Sequence, residues 1–196
     1  MDTKTKVVMG FFCGVLSLFL LLLSYEVVLF VTPLSAEQGR WMDYFANEKG
    51  SEQIEDEYTS LEVSHMGDVK RVIMNVERVF WGVMGILLLL AGYLYRRQKL
   101  AEALKYGGVT TIAGVIVILL WAVVNFNSLF RIFHLLFFPQ GNWQFASDSL
   151  LIATFPLEFF IGMSVKIFGL TLGLAGFIVG GSYLLGKRTN TKKEHK

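Results

Sequence analysis

The chain has 196 residues, of which 54% are hydrophobic and only 17% are charged, and its formal net charge is +2. This composition is more apolar and less charged than that of an average soluble domain, so it favours an integral membrane protein of one domain. The single cysteine, Cys13, excludes a disulfide framework and a paired-cysteine metal site.

Residues 7–31 form the first of four apolar runs that predict transmembrane helices. A signal peptide has a shorter apolar core, so we expect a retained helix even though residues 34–36 imitate a cleavage site. Glu26 lies a turn or two from the outer end of this span. Its carboxylate is expected either to face protein or a water-filled cavity, where it would contact substrate, or merely to reach the outer interface.

The segment 32–78 is predicted to lie outside the membrane. Its middle is acidic, and apolar residues then recur at i, i+3, i+4 and i+7 from Val69 onward, which predicts an amphipathic helix. His65 lies near the start of this helix. Asp68 follows three residues later on the same helical face, and Arg71 adds positive charge nearby. Both are candidate substrate-binding residues.

Residues 79–95 and 109–126 are the second and third predicted spans, and a short basic segment joins them. Helices with so short a connection tend to be antiparallel neighbours. We therefore expect these two helices to pack side by side, with their outer ends close together.

The segment 127–164 is too polar, and too interrupted by proline and glycine, to be one span, yet it is too aromatic for an ordinary soluble loop. It is predicted to lie at the membrane–water boundary. His134 lies near its start. Its candidate substrate-binding residues are Arg131, Trp143 and Asp148. The fourth predicted span, 165–186, follows.

The distribution of lysine and arginine predicts the orientation. The N-terminus, the connection between spans two and three and the C-terminal tail are basic, whereas the segment after the first span is acidic. Because basic loops are retained on the cytoplasmic side, all four regions place both termini in the cytoplasm. The predicted fold is an all-α membrane protein, a single domain over 1–196, with four transmembrane helices and an extracytoplasmic cap of loops and interfacial helices.

The chain has three histidines, and the predicted topology brings two of them to the same membrane depth on the outer side. His195 lies in the charged tail and is expected to be inert. One interpretation is that His65 and His134 act as general acid and general base, with Asp68 fixing the tautomer of His65 by a hydrogen bond. The other is that both histidines simply lie at the headgroup level.

Motifs for several other chemistries are missing from the sequence. It has no GxSxG, P-loop or HExxH motif and no basic–aromatic patch for nucleic acid. Two loosely placed histidines and one carboxylate give little support for a metal site. We predict no metal, no cofactor and no nucleic-acid partner.

Several short motifs resemble the bacterial family of lipoprotein intramolecular transacylases, which are four-span membrane proteins. They are SHMxDV at residues 64–69, FxxFH at 130–134, WxF at 143–145 and LIxxFPxxFF at 151–160. The resemblance covers essentially the whole chain. It implies an acyltransferase that moves the sn-2 acyl chain of a diacylglyceryl lipoprotein to the α-amino group of its N-terminal cysteine, which gives the lyso-form lipoprotein. It maps the two functional histidines of the family onto His65 and His134.

The resemblance also implies a multi-pass protein of the cell membrane. Its active site would face the extracytoplasmic side, among membrane lipids and lipoproteins of the outer leaflet, and we expect a monomer. Which histidine is the base and which the acid stays open, as does a transient acyl-histidine. Two other functions also stay open. One is a bis-histidine haem electron carrier, and the other is a membrane sensor or interaction protein that acts through the acidic outer loop.

Overall fold

The structure is a computed structural model that describes residues 1–47, 54 and 56–194. His195 and much of the acidic loop, including Glu48, Glu52 and Glu55, lie outside the described residues. Within them the chain forms helices and no strand. The helices are α1 (Thr3–Val31), α2 (Ala36–Asn47), α3 (Ser60–Arg96), α4 (Leu100–Phe137), α5 (Leu150–Thr154) and α6 (Leu157–Glu194).

Four of these helices are long and apolar enough to cross a membrane. They are Thr3–Val31, Ser60–Arg96, Leu100–Phe137 and Leu157–Leu185. The predicted all-α fold with four spanning helices is therefore confirmed. At 1.5 Å per residue, the 37 residues of α3 extend about 55 Å, well beyond a hydrocarbon core of about 30 Å. The first turns of α3, which carry His65, thus continue the helix past the predicted span 79–95.

Helix α1 is central to the bundle and packs against α3, α4 and α6, while α4 also pairs extensively with α6. From Phe12 onward the buried positions of α1 recur every four residues and so form one stripe along the helix. Helices α3 and α4 contact each other less than either contacts α1. The expectation that spans two and three pack side by side is not met, because both helices are held by α1 instead.

Two adjacent glycines let α4 fit closely between α1 and α6. A Cβ atom on Gly107 would lie 2.7 Å from Cδ2 of Leu16 on α1, and one on Gly108 would lie 2.6 Å from Cγ2 of Val179 on α6. One turn further along, the buried Thr111 donates a hydrogen bond of 2.9 Å to Oγ of Ser17. Small residues and an interhelical hydrogen bond are what hold helices together inside a membrane, where lipid removes the hydrophobic driving force.

Helix α4 is kinked at Asn125, whose φ of −154° and ψ of 72° are not helical. The Asn125 side chain accepts a hydrogen bond of 3.0 Å from the backbone N–H of Ser128, as an N-cap does. Residues 126–137 are therefore a newly started helical segment that carries His134. The kink falls where the predicted third span, 109–126, gives way to the predicted boundary segment.

A cap covers the end of the bundle at which α3 and α6 begin. Its apolar core joins α2, the start of α3 and α5, and comprises Trp41, Ile54, Tyr58, Met66, Leu151 and Phe155. Two polar contacts fasten α5 to this core: Gln38 donates to the carbonyl of Thr154 at 2.9 Å, and the Tyr58 hydroxyl meets Oγ1 of Thr154 at 2.8 Å. On the surface of the cap, hydrogen bonds from the Arg40 guanidinium lower the pKa of the exposed Glu57 carboxyl.

Glu62 is only 2% exposed and connects the start of α3 to α5. Its Oε2 accepts from the N–H and hydroxyl of Thr59 at 2.8 and 2.7 Å, and its Oε1 accepts from the N–H of Leu151 at 2.9 Å. This arrangement is a capping box with one extra donor. The two ends of one carboxylate thus fix the angle between the two helices.

Replacing Glu62 by alanine is expected to lower the free energy of unfolding by about 2–4 kcal/mol, because it leaves buried donors without an acceptor. Glu62→Gln is the matched variant. Its amide oxygen can still accept from Leu151, but its NH₂ group cannot accept from Thr59, so its loss should be smaller. Thermal unfolding in detergent, followed by tryptophan fluorescence, measures both. Equal melting temperatures for Glu62→Ala and the unsubstituted protein would contradict this role.

Candidate functional site

His65 and His134 lie at the same end of the bundle, at the start of α3 and in the last turn of α4. The ring of Phe138 lies beside both. Its centroid is 4.7 Å from that of His65 and 5.7 Å from that of His134. The two imidazoles are therefore no further apart than the sum of these distances. The structure brings together two histidines that the sequence separates by most of two spanning helices.

The chain after α4 turns back across α3 and holds the two helices together. Gly141 has a φ of +81°, which glycine adopts without strain, and it lies between two residues that contact α3. These residues, Gln140 and Asn142, both donate from their side-chain amides to Oδ2 of Asp68, with Asn142 at 2.7 Å. This turn, rather than helix packing, therefore brings the outer ends of α3 and α4 together.

Asp68 is the centre of the polar network at the site and is only 7% exposed. Besides the two amides on Oδ2, its Oδ1 accepts a hydrogen bond from Arg71 one turn along α3. These three donors satisfy the ionised carboxylate, which can only accept. Asp68 has no hydrogen bond to His65, so the predicted direct contact between this pair is wrong. The Asp68 carboxylate instead binds the loop that follows α4.

The environment of His134 fixes its tautomer. Its Nδ1 lies 2.9 Å from the carbonyl oxygen of Phe130. A carbonyl can only accept, so Nδ1 carries the hydrogen and Nε2 of the neutral ring keeps its lone pair. The rings of Phe130 and Trp143 flank the imidazole, with centroids at 4.1 and 4.7 Å. Both these aromatic faces and the carbonyl end of the helix attract a positive charge.

The environment of His65 is more enclosed, and the residue is only 8% exposed. The rings of Phe138 and Phe145 lie 4.7 and 5.4 Å from its own. Its Nδ1 is buried without a hydrogen-bond partner in the described part of the chain, whereas its Nε2 is not enclosed in this way. The nitrogen available to a bound molecule is therefore Nε2, on the ring edge away from Nδ1.

The predicted substrate-binding residues fall into two groups. Asp68, Arg71 and Trp143 belong to the cluster around the histidines, through the contacts given above. The other three have no hydrogen bond or ion pair with either histidine among the described residues. Arg131 and Asp148 are exposed, and Glu26 on α1 is half-buried within electrostatic range of Glu77 on α3. Substrate binding by all six stays a prediction.

Four residues of the site were not assigned to it from the sequence: Phe138, Gln140, Asn142 and Phe145. The only signal for the two amides is a short polar run, PQGN, at residues 139–142 inside an aromatic stretch. No group of three histidine, cysteine or carboxylate side chains that could hold a metal ion occurs within residues 1–47, 54 and 56–194. The arrangement offers two imidazoles with accessible Nε2 atoms, one ionised carboxylate and several apolar rings.

Comparison with known proteins gives consistent matches over this region. A family model described as lipoprotein intramolecular transacylase Lit matches residues 23–160, which include both histidines. An uncharacterised protein of Aquifex aeolicus (strain VF5) is 25% identical over 142 residues, which are 66% of this chain and 61% of that protein. The match thus covers less than two thirds of that relative's length.

Three solved structures that match this fold are of one bacterial protein. The membrane-integral lipoprotein intramolecular transacylase Lit of Bacillus cereus superposes with a TM-score of 0.73 at 16% identity, over 97% of this chain and 100% of that one. A variant of the same protein, with a histidine replaced by arginine, gives a TM-score of 0.73 at 18% identity over 96% and 95% of the two chains. At these identities the structural likeness shows the fold.

Proposed function

Because the chain belongs to the lipoprotein intramolecular transacylase family, we propose that it moves the sn-2 acyl chain of a diacylglyceryl lipoprotein to the α-amino group of its N-terminal cysteine. The product is the lyso-form lipoprotein, with one N-acyl chain and one remaining ester. The observation that carries the proposal is that His65 and His134 flank the same ring, that of Phe138. The family match favours neither the haem carrier nor the sensor.

The reaction needs two proton transfers and no co-reactant. The amine nitrogen attacks the ester carbonyl, a C–N bond forms, and the bond from the carbonyl carbon to the glycerol oxygen breaks. The nitrogen must lose a proton before or during attack, and the departing glycerol oxygen must gain one. Two imidazoles within reach of one lipid headgroup can serve both steps. Since amine and ester belong to one molecule, holding it folded supplies much of the acceleration.

His134 is the base in this proposal. Its Nδ1–H donates to the carbonyl of Phe130, so the lone pair that accepts the proton from the amine is on Nε2. The charge that then develops on the ring is stabilised by the carbonyl end of α4 and by the faces of Phe130 and Trp143.

His65 is the acid. The ionised Asp68, one turn further along α3, attracts its positive charge, which offsets part of the cost of burying an imidazolium among aromatic rings. Nε2–H then donates its proton to the glycerol oxygen as the C–O bond breaks. A proton passed from His134 to His65, directly or through water, restores the starting state.

The site lies at the extracytoplasmic surface in this proposal. The cap and both histidines are at the end of the bundle opposite the basic connection between α3 and α4, and basic connections stay in the cytoplasm. Outward-facing apolar side chains next to His134, such as Leu136 at 70% exposure, give the acyl chains an apolar surface in the outer leaflet. All residues of the site come from one chain, so a monomer suffices.

The test uses purified protein in detergent and a synthetic lipopeptide that carries different acyl chains at sn-1 and sn-2. Substrate and product have the same mass, so tandem mass spectrometry must locate each chain. We expect only the sn-2 chain on the amine. In a mixture of two substrates with distinguishable chains, no crossed product should form. An unreacted substrate, or crossed products, would refute intramolecular transfer by this protein.

Trp143 supplies a further expected effect on the rate. Its indole N–H is buried and has no partner among the described residues, and its ring is next to His134. In the proposed reaction this N–H donates a hydrogen bond to the carbonyl oxygen of the ester as negative charge develops on that oxygen. Trp143→Phe keeps a ring and removes the N–H, so kcat should fall about 10²-fold with little change in KM. Trp143→Ala, which also removes the ring, is the comparison for lost packing. Unchanged kcat in Trp143→Phe would exclude this donor.

A further inference from the structure

The site contains two complementary polar atoms that are both buried without a hydrogen-bond partner in the described part of the chain. They are Nδ1 of His65 and the side-chain oxygen Oδ1 of Asn142. A buried polar atom without a partner costs free energy, so such atoms are rare and mark places where a further contact forms. One of this pair can donate a hydrogen bond and the other can only accept one.

The neighbours of Asn142 fix which way its amide faces. The nitrogen donates to Oδ2 of Asp68 at 2.7 Å and is 3.4 Å from Oγ of Ser64. Because the Asp68 carboxylate can only accept, the NH₂ group must face it, and the amide oxygen must face away. The Asn142 side chain is also close enough to interact with the imidazole of His65, although the pair falls short of hydrogen-bond geometry.

We propose that Asn142 is a positioning residue for His65: its Oδ1 accepts the Nδ1–H of the imidazole and so keeps Nε2 directed at the substrate. This inference rests on the proposed function for its catalytic meaning. Contacts of this kind are often long in a ligand-free enzyme and shorten when substrate binds. Asp68 then acts on His65 through Asn142 rather than by direct contact.

The neighbouring side chains described above do not offer His65 the same contact. Phe138 and Phe145 present only rings, and the lone pair of His134 is on Nε2, the atom that the proposed reaction directs at the amine. Both oxygens of Asp68 are engaged by amide and guanidinium donors. Among these side chains, Asn142 is therefore the acceptor that has a fixed orientation and a spare lone pair that the proposed reaction does not use.

The consequence for the reaction is control of the tautomer. With Nδ1–H held by Asn142, the proton that His65 gives to the glycerol oxygen must come from Nε2, and the neutral ring left behind keeps its hydrogen on Nδ1. Without this acceptor the neutral ring can place its hydrogen on either nitrogen, and only the Nδ1–H form can take up the next proton at Nε2 and donate it again.

The experiment compares Asn142→Leu, which removes both polar atoms at similar volume, with the exchange Asp68→Asn/Asn142→Asp. The exchange puts a carboxylate acceptor beside His65 and an amide donor at residue 68. With substrate, kcat should fall about 10- to 100-fold in Asn142→Leu while KM stays within about twofold, and the exchange should recover part of the loss. Melting temperatures establish that each variant is folded.

A spectroscopic measurement that needs no substrate separates positioning from packing. The chain has three histidines, so ¹⁵N-histidine spectra in detergent are simple, and the His65 signal is the one lost in His65→Gln. At a pH at which the His65 ring is neutral, we expect the Nδ1–H tautomer in the unsubstituted protein, a mixture in Asn142→Leu and recovery in the exchange. The same tautomer in Asn142→Leu and the unsubstituted protein would overturn the inference.

The two measurements also distinguish this inference from the proposed function. If the tautomer changes as expected but neither the unsubstituted protein nor any variant transfers an acyl chain, the positioning by Asn142 stands and the proposed function fails. If the unsubstituted protein transfers the acyl chain but the tautomer of His65 does not depend on residue 142, only the inference about Asn142 fails.

Discussion

Replacing His134 by asparagine is expected to lower kcat by about 10³-fold or more, with the protein still folded. The amide nitrogen of asparagine can donate to the Phe130 carbonyl as Nδ1–H does, but the side chain cannot accept a proton. What is lost is the base, and general acid–base catalysis contributes about 10²- to 10⁴-fold. Formation of the N-acyl product, followed by tandem mass spectrometry, measures the loss.

His65→Ala should cause a loss of similar size, and the double variant should be little worse than either single one, because residues that act as a unit are not additive. His195→Ala is the matched control, since it removes a histidine from the C-terminal tail, and we expect an unchanged rate. Normal lyso-lipoprotein formation by either His65→Ala or His134→Asn would refute the acid–base pair.

Much of the fold was predictable because a membrane leaves a strong pattern in the sequence. Each span must be a long apolar run whose backbone satisfies its own hydrogen bonds, so four such runs give four helices. The pattern says nothing about which helices touch. The short connection between α3 and α4 makes them antiparallel, but α1 packs against both of them, and that preference depends on side-chain shapes such as the small Gly107 opposite Leu16.

The site was predictable only where topology decides it. His65 and His134 had to reach the same side, since each lies just beyond one end of a span. Asn142 could not be found in this way, because its contact with Asp68 joins residues 74 positions apart through a turn. No periodicity connects a loop to a helix at that distance. For Asp68 the spacing predicted the right surroundings and the wrong partner, since spacing on a helix shows which face a residue shares but not which donors reach that face.

Asp68→Ala is expected to reduce kcat about 10²-fold while costing only about 1–2 kcal/mol of stability. The two effects differ because the partners of Asp68 differ in exposure. The side chain of Arg71 is 74% exposed, so its ion pair with Asp68 adds little stability and water can replace it. Gln140 is exposed too, and only the half-buried Asn142 loses an acceptor that water does not readily replace. In the inference above, however, Asn142 positions His65. Loss of the Asp68 carboxylate should therefore lower kcat more than it lowers the free energy of unfolding.

Arg71→Ala is the matched control for this prediction, because it removes the exposed partner and leaves the two amides on Asp68. We expect nearly unchanged stability, and a rise in KM without a fall in kcat if Arg71 binds the substrate. Thermal unfolding and steady-state rates of both variants provide the comparison, and hydrogen exchange at residues 138–146 reports whether the turn has detached. A rate for Asp68→Ala equal to that of the unsubstituted protein would show that the carboxylate does not control the site. Faster exchange in this turn with the bundle unchanged is the expected result, because Asp68 joins the turn to α3 and takes no part in packing the spanning helices.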